Sequence, residues 1–82
     1  MKGCIGVVGI VNKRPQETTG KINSIISNYR DIVIGRMGIP KHEEDVGLIS
    51  LIVEGETETI TTFEKELKAV DGLVVSMALS VC

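Results

Sequence analysis

Apolar residues fall into six blocks along this chain, and their spacing changes from one block to the next. Residues 4–11, CIGVVGIV, are short, Val/Ile-rich and broken by glycines, which predicts a buried strand. Pro15 then opens a new element, with Glu17 well placed in a helical first turn. Thr18, Ile22, Ile25, Ile26 and Tyr29 recur at helical spacing, predicting an amphipathic helix over 16–29 that Gly20 weakens without ending. DIVIGRM (31–37) reads as a second strand, residues 38–45 as a polar loop, and GLISLIVE (47–54) as a third strand. Gly38, able to take a positive φ, and Pro40, unable to donate to a ladder, account for the second strand stopping there. Thr57 is placed to cap a second helix whose stripe is Ile60, Phe63, Leu67 and Val70, with Asp71-Gly72 ending it. LVVSMALSV (73–81) is the last strand.

The order is βαββαβ, which predicts an α+β, ferredoxin-like fold with four antiparallel strands and both helices on one face. The usual strand order, 4-1-3-2, puts the first and third strands in the centre. Those two blocks are apolar at almost every position. Ile5, Val7 and Val11 oppose Val8 and Ile10, and Ile49, Leu51 and Val53 oppose Leu48 and Ile52. A solvated second face would alternate apolar with polar residues. Both faces are apolar, so the face without helices is expected to meet another copy of the chain, as a dimer or a tetramer.

Composition narrows the function classes. Eighty-two residues make a single domain, 1–82, with a thin stability margin. A net charge of −2 and an aromatic content of 2% argue against nucleic acid, which asks for a basic stripe and stacking platforms. The apolar stretch at 4–11 is far too short to span a membrane, and two cysteines are too few for a disulfide framework. A cytoplasmic location follows as the expectation.

Few residues suggest chemistry. The loop Asn12-Lys13-Arg14-Pro15-Gln16 could hold an anion at a helix start, or could be a solvated connection. Gly20-Lys21 lacks the earlier glycine and the following Ser/Thr of a phosphate loop. His42-Glu43-Glu44-Asp45 reads as a hairpin tip, although symmetry could bring two copies of His42 to one metal. Cys4 and Cys82 fall at the same end of the sheet if the first and last strands are neighbours. They read as two buried or terminal thiols, with a redox pair as the alternative. One histidine with no nucleophile near it gives no case for an enzyme.

The pieces IGVVGIV, Asn23-x-x-Ile26, IVIGRMGIP, LISLIVEG and Val70-Asp71-Gly72-Leu73 occur together in this order. In that, the chain resembles, over essentially its whole length, the small iron-only hydrogenase system regulators. Gly35-Arg36-Met37-Gly38-Ile39-Pro40 is the most specific piece. The resemblance implies an ACT-like domain, similar to the C-terminal domain of nickel-responsive regulators and associated with iron-only hydrogenase maturation. It brings no established cofactor, ligand or catalytic residue. The nickel site of those regulators needs several histidines and a cysteine, which His42 alone does not supply.

By analogy with ACT-like domains, a small metabolite or anion is expected near Gly9, Asn12 and Arg14 at a subunit interface. The alternatives are a ligand-free assembly module acting on hydrogenase maturation proteins, and a metal or redox sensor. The GRMGIP turn is expected at the opposite end of the sheet from the 12–16 loop. Arg36, Met37 and Gly38 are therefore expected at a subunit contact.

Overall fold

The computed structural model describes residues 3–41, 44–80 and 82. Its elements run β1 (Cys4–Asn12), α1 (Pro15–Asn28), β2 (Val33–Lys41), β3 (Val46–Gly55), α2 (Thr57–Lys68) and β4 (Leu73–Leu79). The four strands form one antiparallel sheet in the order β2-β3-β1-β4, as the βαββαβ pattern requires. The two most apolar strands are central.

The period-2 pattern of β1 assigns its side chains strictly. Cys4, Gly6, Val8, Ile10 and Asn12 are buried under the helices, while Ile5, Val7, Gly9 and Val11 face away. Pairing with β3 puts Val8 beside Leu51 and Ile10 beside Ile49. The helices contribute Ile22, Ile26, Ile60, Phe63 and Leu67 to the same core. Phe63, wholly buried, meets the ring of Tyr29 at 4.9 Å between centroids, a tilted arrangement suited to the charge distribution of aromatic rings.

Two glycines are required by their surroundings. Gly72 has φ +92° between α2 and β4, and its bare Cα lets the Arg14 side chain lie against it. At Gly55 a Cβ would stand 2.8 Å from the Ile32 side chain, so any larger residue there forces Ile32 or β3 to shift.

Several boundaries differ from those the sequence suggests. β2 does not stop at Met37: it pairs with β3 through Lys41, with a bulge between Val33 and Gly35. Gly38 sits in this ladder opposite Ile49, and among the described residues Gly72 is the only glycine with positive φ. Pro40 is compatible with the strand because β2 is an edge, the place in a sheet where proline is tolerated. α1 runs one residue earlier than its apolar spacing suggests, beginning at Pro15 itself. Glu56, not Thr57, occupies the N-cap of α2, and it makes no side-chain cap. β4 ends at Leu79.

The position of GRMGIP also needs correction. Antiparallel pairing aligns Asn12 with Gly47 and Gly47 with Pro40. The β2–β3 hairpin therefore lies at the same end of the sheet as the 12–16 loop, not the opposite end. A hairpin that follows β2 must sit where β3 begins, and β3 begins where β1 ends.

Candidate functional site

The loop after β1 is closed on itself by hydrogen bonds. The Asn12 side chain is buried, and its Oδ1 accepts from the Arg14 N–H at 3.0 Å and from the Thr18 hydroxyl at 2.7 Å. Arg14 holds Asp71 at 3.2 Å and approaches Glu17 at 3.8 Å. The Lys13 N–H donates to the Gly72 carbonyl, tying the loop to the start of β4. These contacts orient the entry to α1 and engage the Arg14 guanidinium and the Asn12 side-chain oxygen.

Gly9, Asn12 and Arg14 do not converge. Gly9 lies on the uncovered face, paired with Ser50 and Ser76. Arg14 turns toward the α2–β4 connection, and Asn12 points into the helix-covered side. His42 lies outside the described residues. Among those that are described, no three His, Cys, Asp or Glu side chains could hold a metal ion together.

What does form is a cleft of about 190 Å³ between the first turns of α1 and the β2–β3 hairpin. Asn12, Pro15 and Thr19 line one side, and Gly38, Gly47, Leu48 and Ile49 the other. The geometry follows from two periodicities. Pro15, Thr19 and Asn23 recur every fourth residue, so one face of α1 follows β2. Arg36 and Gly38 alternate on the helix-bearing side of β2, in register with Leu51 and Ile49. Arg36 donates to Asn23 Oδ1 at 2.8 Å, closing the lower end of the gap, and the absent side chain of Gly38 leaves it open above. Sequence reasoning passed over Thr19 and Gly47. Their signal was present, as helical spacing from Pro15 and as a glycine in register with Asn12.

A second cavity of about 270 Å³ lies beside Tyr29, Glu58, Thr59 and Thr62. The Tyr29 hydroxyl donates to Glu66. That hydrogen bond, then burial, then the carboxylate's charge, raise the phenol above its ordinary range.

On the side of the sheet away from the helices, Ile5, Val7, Val11, Ile52, Val74, Ile39 and Met37 stand exposed, with Met37 at 62%. Register brings them together: Val7 lies between Ile52 and Ala78, and Val11 between Leu48 and Val74. Arg36 and Gly38 face the helices, so of Arg36, Met37 and Gly38 only Met37 is on this surface.

Residues 4–77 match the TM1266-like family, described as "Iron-only hydrogenase system regulator, putative". The chain belongs to this family. Its fold matches that of protein TM1266 from Thermotoga maritima with a TM-score of 0.90 at 20% identity, over 95% of this chain and 98% of that one. It also matches the ACT domain of the GTP pyrophosphokinase of Chlorobium tepidum, with a TM-score of 0.75 at 21% identity, over 95% of this chain and 89% of that one. No curated protein matches the chain. At these identities the structural matches establish the ACT-like fold and nothing narrower. In this family member the Arg36–Asn23 hydrogen bond joins GRMGIP to the Asn-x-x-Ile of α1, two pieces that carried the resemblance separately.

Proposed function

We propose that this regulator-family member is a non-catalytic sensor of the iron-only hydrogenase system, acting in the cytoplasm. In this reading it binds a small metabolite in the α1–β2 cleft and assembles with itself through the uncovered sheet face. The observation that carries it is the cleft's size and place together. At about 190 Å³ it falls below the roughly 300 Å³ at which small-molecule pockets begin, and it opens at the β2 edge. A second copy against that edge would supply the missing wall, which puts the ligand at a subunit interface.

The apolar face supports self-association independently. Four strands at about 4.8 Å spacing and eight or nine residues at about 3.3 Å give a flat footprint on the order of 500 Å². Side-chain relief brings this toward the roughly 800 Å² per partner of a standard interface. Met37 would lie within it. Arg36 and Gly38 would act at the same contact from the edge, where β2 meets the cleft.

Size and lining favour an amino acid-sized ligand with an apolar body over a bare anion, since Arg14 is held by Asp71 and the Asn12 oxygen by Arg14 and Thr18. Thermal denaturation with amino acids, nucleotides and small carboxylates tests the reading. At least one compound should raise the Tm of the wild type. Gly38→Val should abolish that shift while leaving the fold intact, because a Cβ at Gly38 makes only an ordinary 3.9 Å contact with the Leu48 carbonyl. A panel with no effect on the wild type would sink the ligand and leave the assembly module, acting on maturation proteins, as the better account.

A further inference from the structure

Cys4 and Cys82 are not separate thiols. The structure joins them in a disulfide across 78 residues of sequence, at the end of the sheet away from the cleft. We propose that this pair is a thiol–disulfide exchange site that takes a dithiol, on a protein or a small molecule, as its reductant.

Three features suit the bond to exchange. The first is asymmetric access: Cys4 is 2% exposed, whereas Cys82 lies open to solvent. An incoming thiolate needs access to a sulfur, and of the two residues only Cys82 is exposed. The second is the leaving group's surroundings. A disulfide sulfur has no proton to give, so the Thr57 hydroxyl is the donor in its 2.9 Å contact with Cys4 Sγ. It lies 3.4 Å from Cys82 Sγ, so it favours the buried sulfur. The third is the placement of Thr57 itself, the first residue of the twelve-residue α2, whose N-cap Glu56 makes no side-chain bond. A thiolate left on Cys4 thus meets a hydroxyl donor and the positive end of a helix.

The steps balance without any further reactant. The attacking thiolate bonds to Cys82 Sγ, the Cys4–Cys82 bond breaks, and its electron pair stays on Cys4 Sγ, which later takes a proton from water. The reductant's second thiolate then attacks its own sulfur in the mixed disulfide and expels the Cys82 thiolate. Two electrons and two protons reach the cysteines, and the dithiol leaves as a disulfide. In the cytoplasm, where the proposed function places the protein, a disulfide is more often catalytic or redox-sensing than structural. Its opening would be felt on the uncovered face. The rung beside it, with the Ser80 N–H on the Ile5 carbonyl at 2.9 Å and the Ile5 N–H on Ser80 Oγ at 3.0 Å, belongs to the same β1–β4 end.

The site is independent of the ligand cleft, and so is its test. The oxidised full chain is treated with reduced glutathione, quenched in acid and alkylated with N-ethylmaleimide, and each cysteine is read by peptide mass spectrometry. The expected product carries glutathione on Cys82 and maleimide on Cys4, and dithiothreitol in place of glutathione leaves both cysteines alkylated. Thr57→Val should slow the glutathione step about tenfold through loss of one hydrogen bond to a developing thiolate, and Thr57→Ser should restore it. Glutathione on Cys4, no adduct at all, or two free thiols in air-exposed protein would overturn the site. Equal rates in wild type and Thr57→Val would remove Thr57 from it.

Discussion

Val7 is the most informative single position on the uncovered face. It sits in a central strand between Ile52 and Ala78, and it keeps 44% exposure in the isolated protomer. Burying a whole valine stabilises by about 1.5–3 kcal/mol, so the half already buried is worth roughly 1 kcal/mol to the protomer and the other half a similar amount to an assembly. Val7→Asp should therefore cost folding only about 1–2 kcal/mol, because its carboxylate can remain in water. In an assembled dimer the same carboxylate must be desolvated with no cation facing it, which costs several kcal/mol, and two-fold symmetry applies that cost twice. A net loss above about 4 kcal/mol corresponds to a dissociation constant raised roughly a thousandfold. Sedimentation velocity over a concentration series gives the stoichiometry, and circular dichroism with thermal melting verifies that the protomer still folds. The expected result is a folded monomer where the wild type is a dimer or tetramer. The reasoning fails if Val7→Asp keeps the wild-type stoichiometry. It fails equally if the wild type is monomeric at concentrations where an interface of standard size is fully formed.

Tyr29 is the only tyrosine in the chain, so its ionisation can be followed directly by ultraviolet absorbance. Its midpoint should lie above 10.0, and Glu66→Gln should bring it down. Because the folded value is the raised one, the contribution of the neutral phenol to stability is complete below the unfolded pKa and is lost as pH rises through the folded value. Gly55→Ala forces a Cβ to 2.8 Å from Ile32 Cγ2 and should destabilise by about 1–3 kcal/mol in denaturant titration; a neutral result would mean that β3 can shift at that point. Reduction of the disulfide, or Cys82→Ser, releases a constraint across 78 residues and should lower stability by about 2–4 kcal/mol. In a domain this size that is a fall in Tm of roughly 10–25 °C by differential scanning fluorimetry, and an unchanged Tm would argue that the unfolded chain gains no freedom from the cut.

The fold was legible because each element advertises itself locally. Val and Ile at period two, with glycines between, leave little alternative to strands for 4–11 and 47–54, and Ile60, Phe63 and Leu67 mark one face of a helix. The double-sided apolar pattern of the central strands announced the uncovered face before any coordinate placed Val7 and Ile52 on it. Boundaries were less legible, for a physical reason. β2 extends through Gly38 and Pro40 because β3 offers partners as far as Val46, and ladder pairing outweighs the local preference of two turn-forming residues at an edge. The disulfide was hidden for a related reason. Chain order places Cys4 and Cys82 at one end of the sheet, but the 4.6 Å between their Cα atoms depends on how the chain continues past the last paired residue of β4.

The IVIGRMGIP stretch makes the same point about sites. As a one-dimensional string it explains why a strand would end, with Gly38 and Pro40 as its turn-forming residues. Placed in register, the alternation gives it two audiences. Arg36 and Gly38 face α1, where one bonds Asn23 and the other leaves the cleft open, while Met37 and Ile39 enter the uncovered apolar face. A turn would have needed neither Arg36 nor Met37; an edge strand that lines a cleft on one side and an exposed apolar face on the other gives each a place. If the cleft takes a ligand and the face a second copy, as proposed, the two would be coupled through the backbone of β2. A ligand that fixes Gly38 against Thr19 also fixes the residues on either side of it, which belong to the opposite face. Occupancy of the cleft and association of the face should vary together on this reading: a compound that binds the cleft should also shift the sedimentation equilibrium, and by linkage the factor by which it tightens association equals the factor by which association tightens its binding.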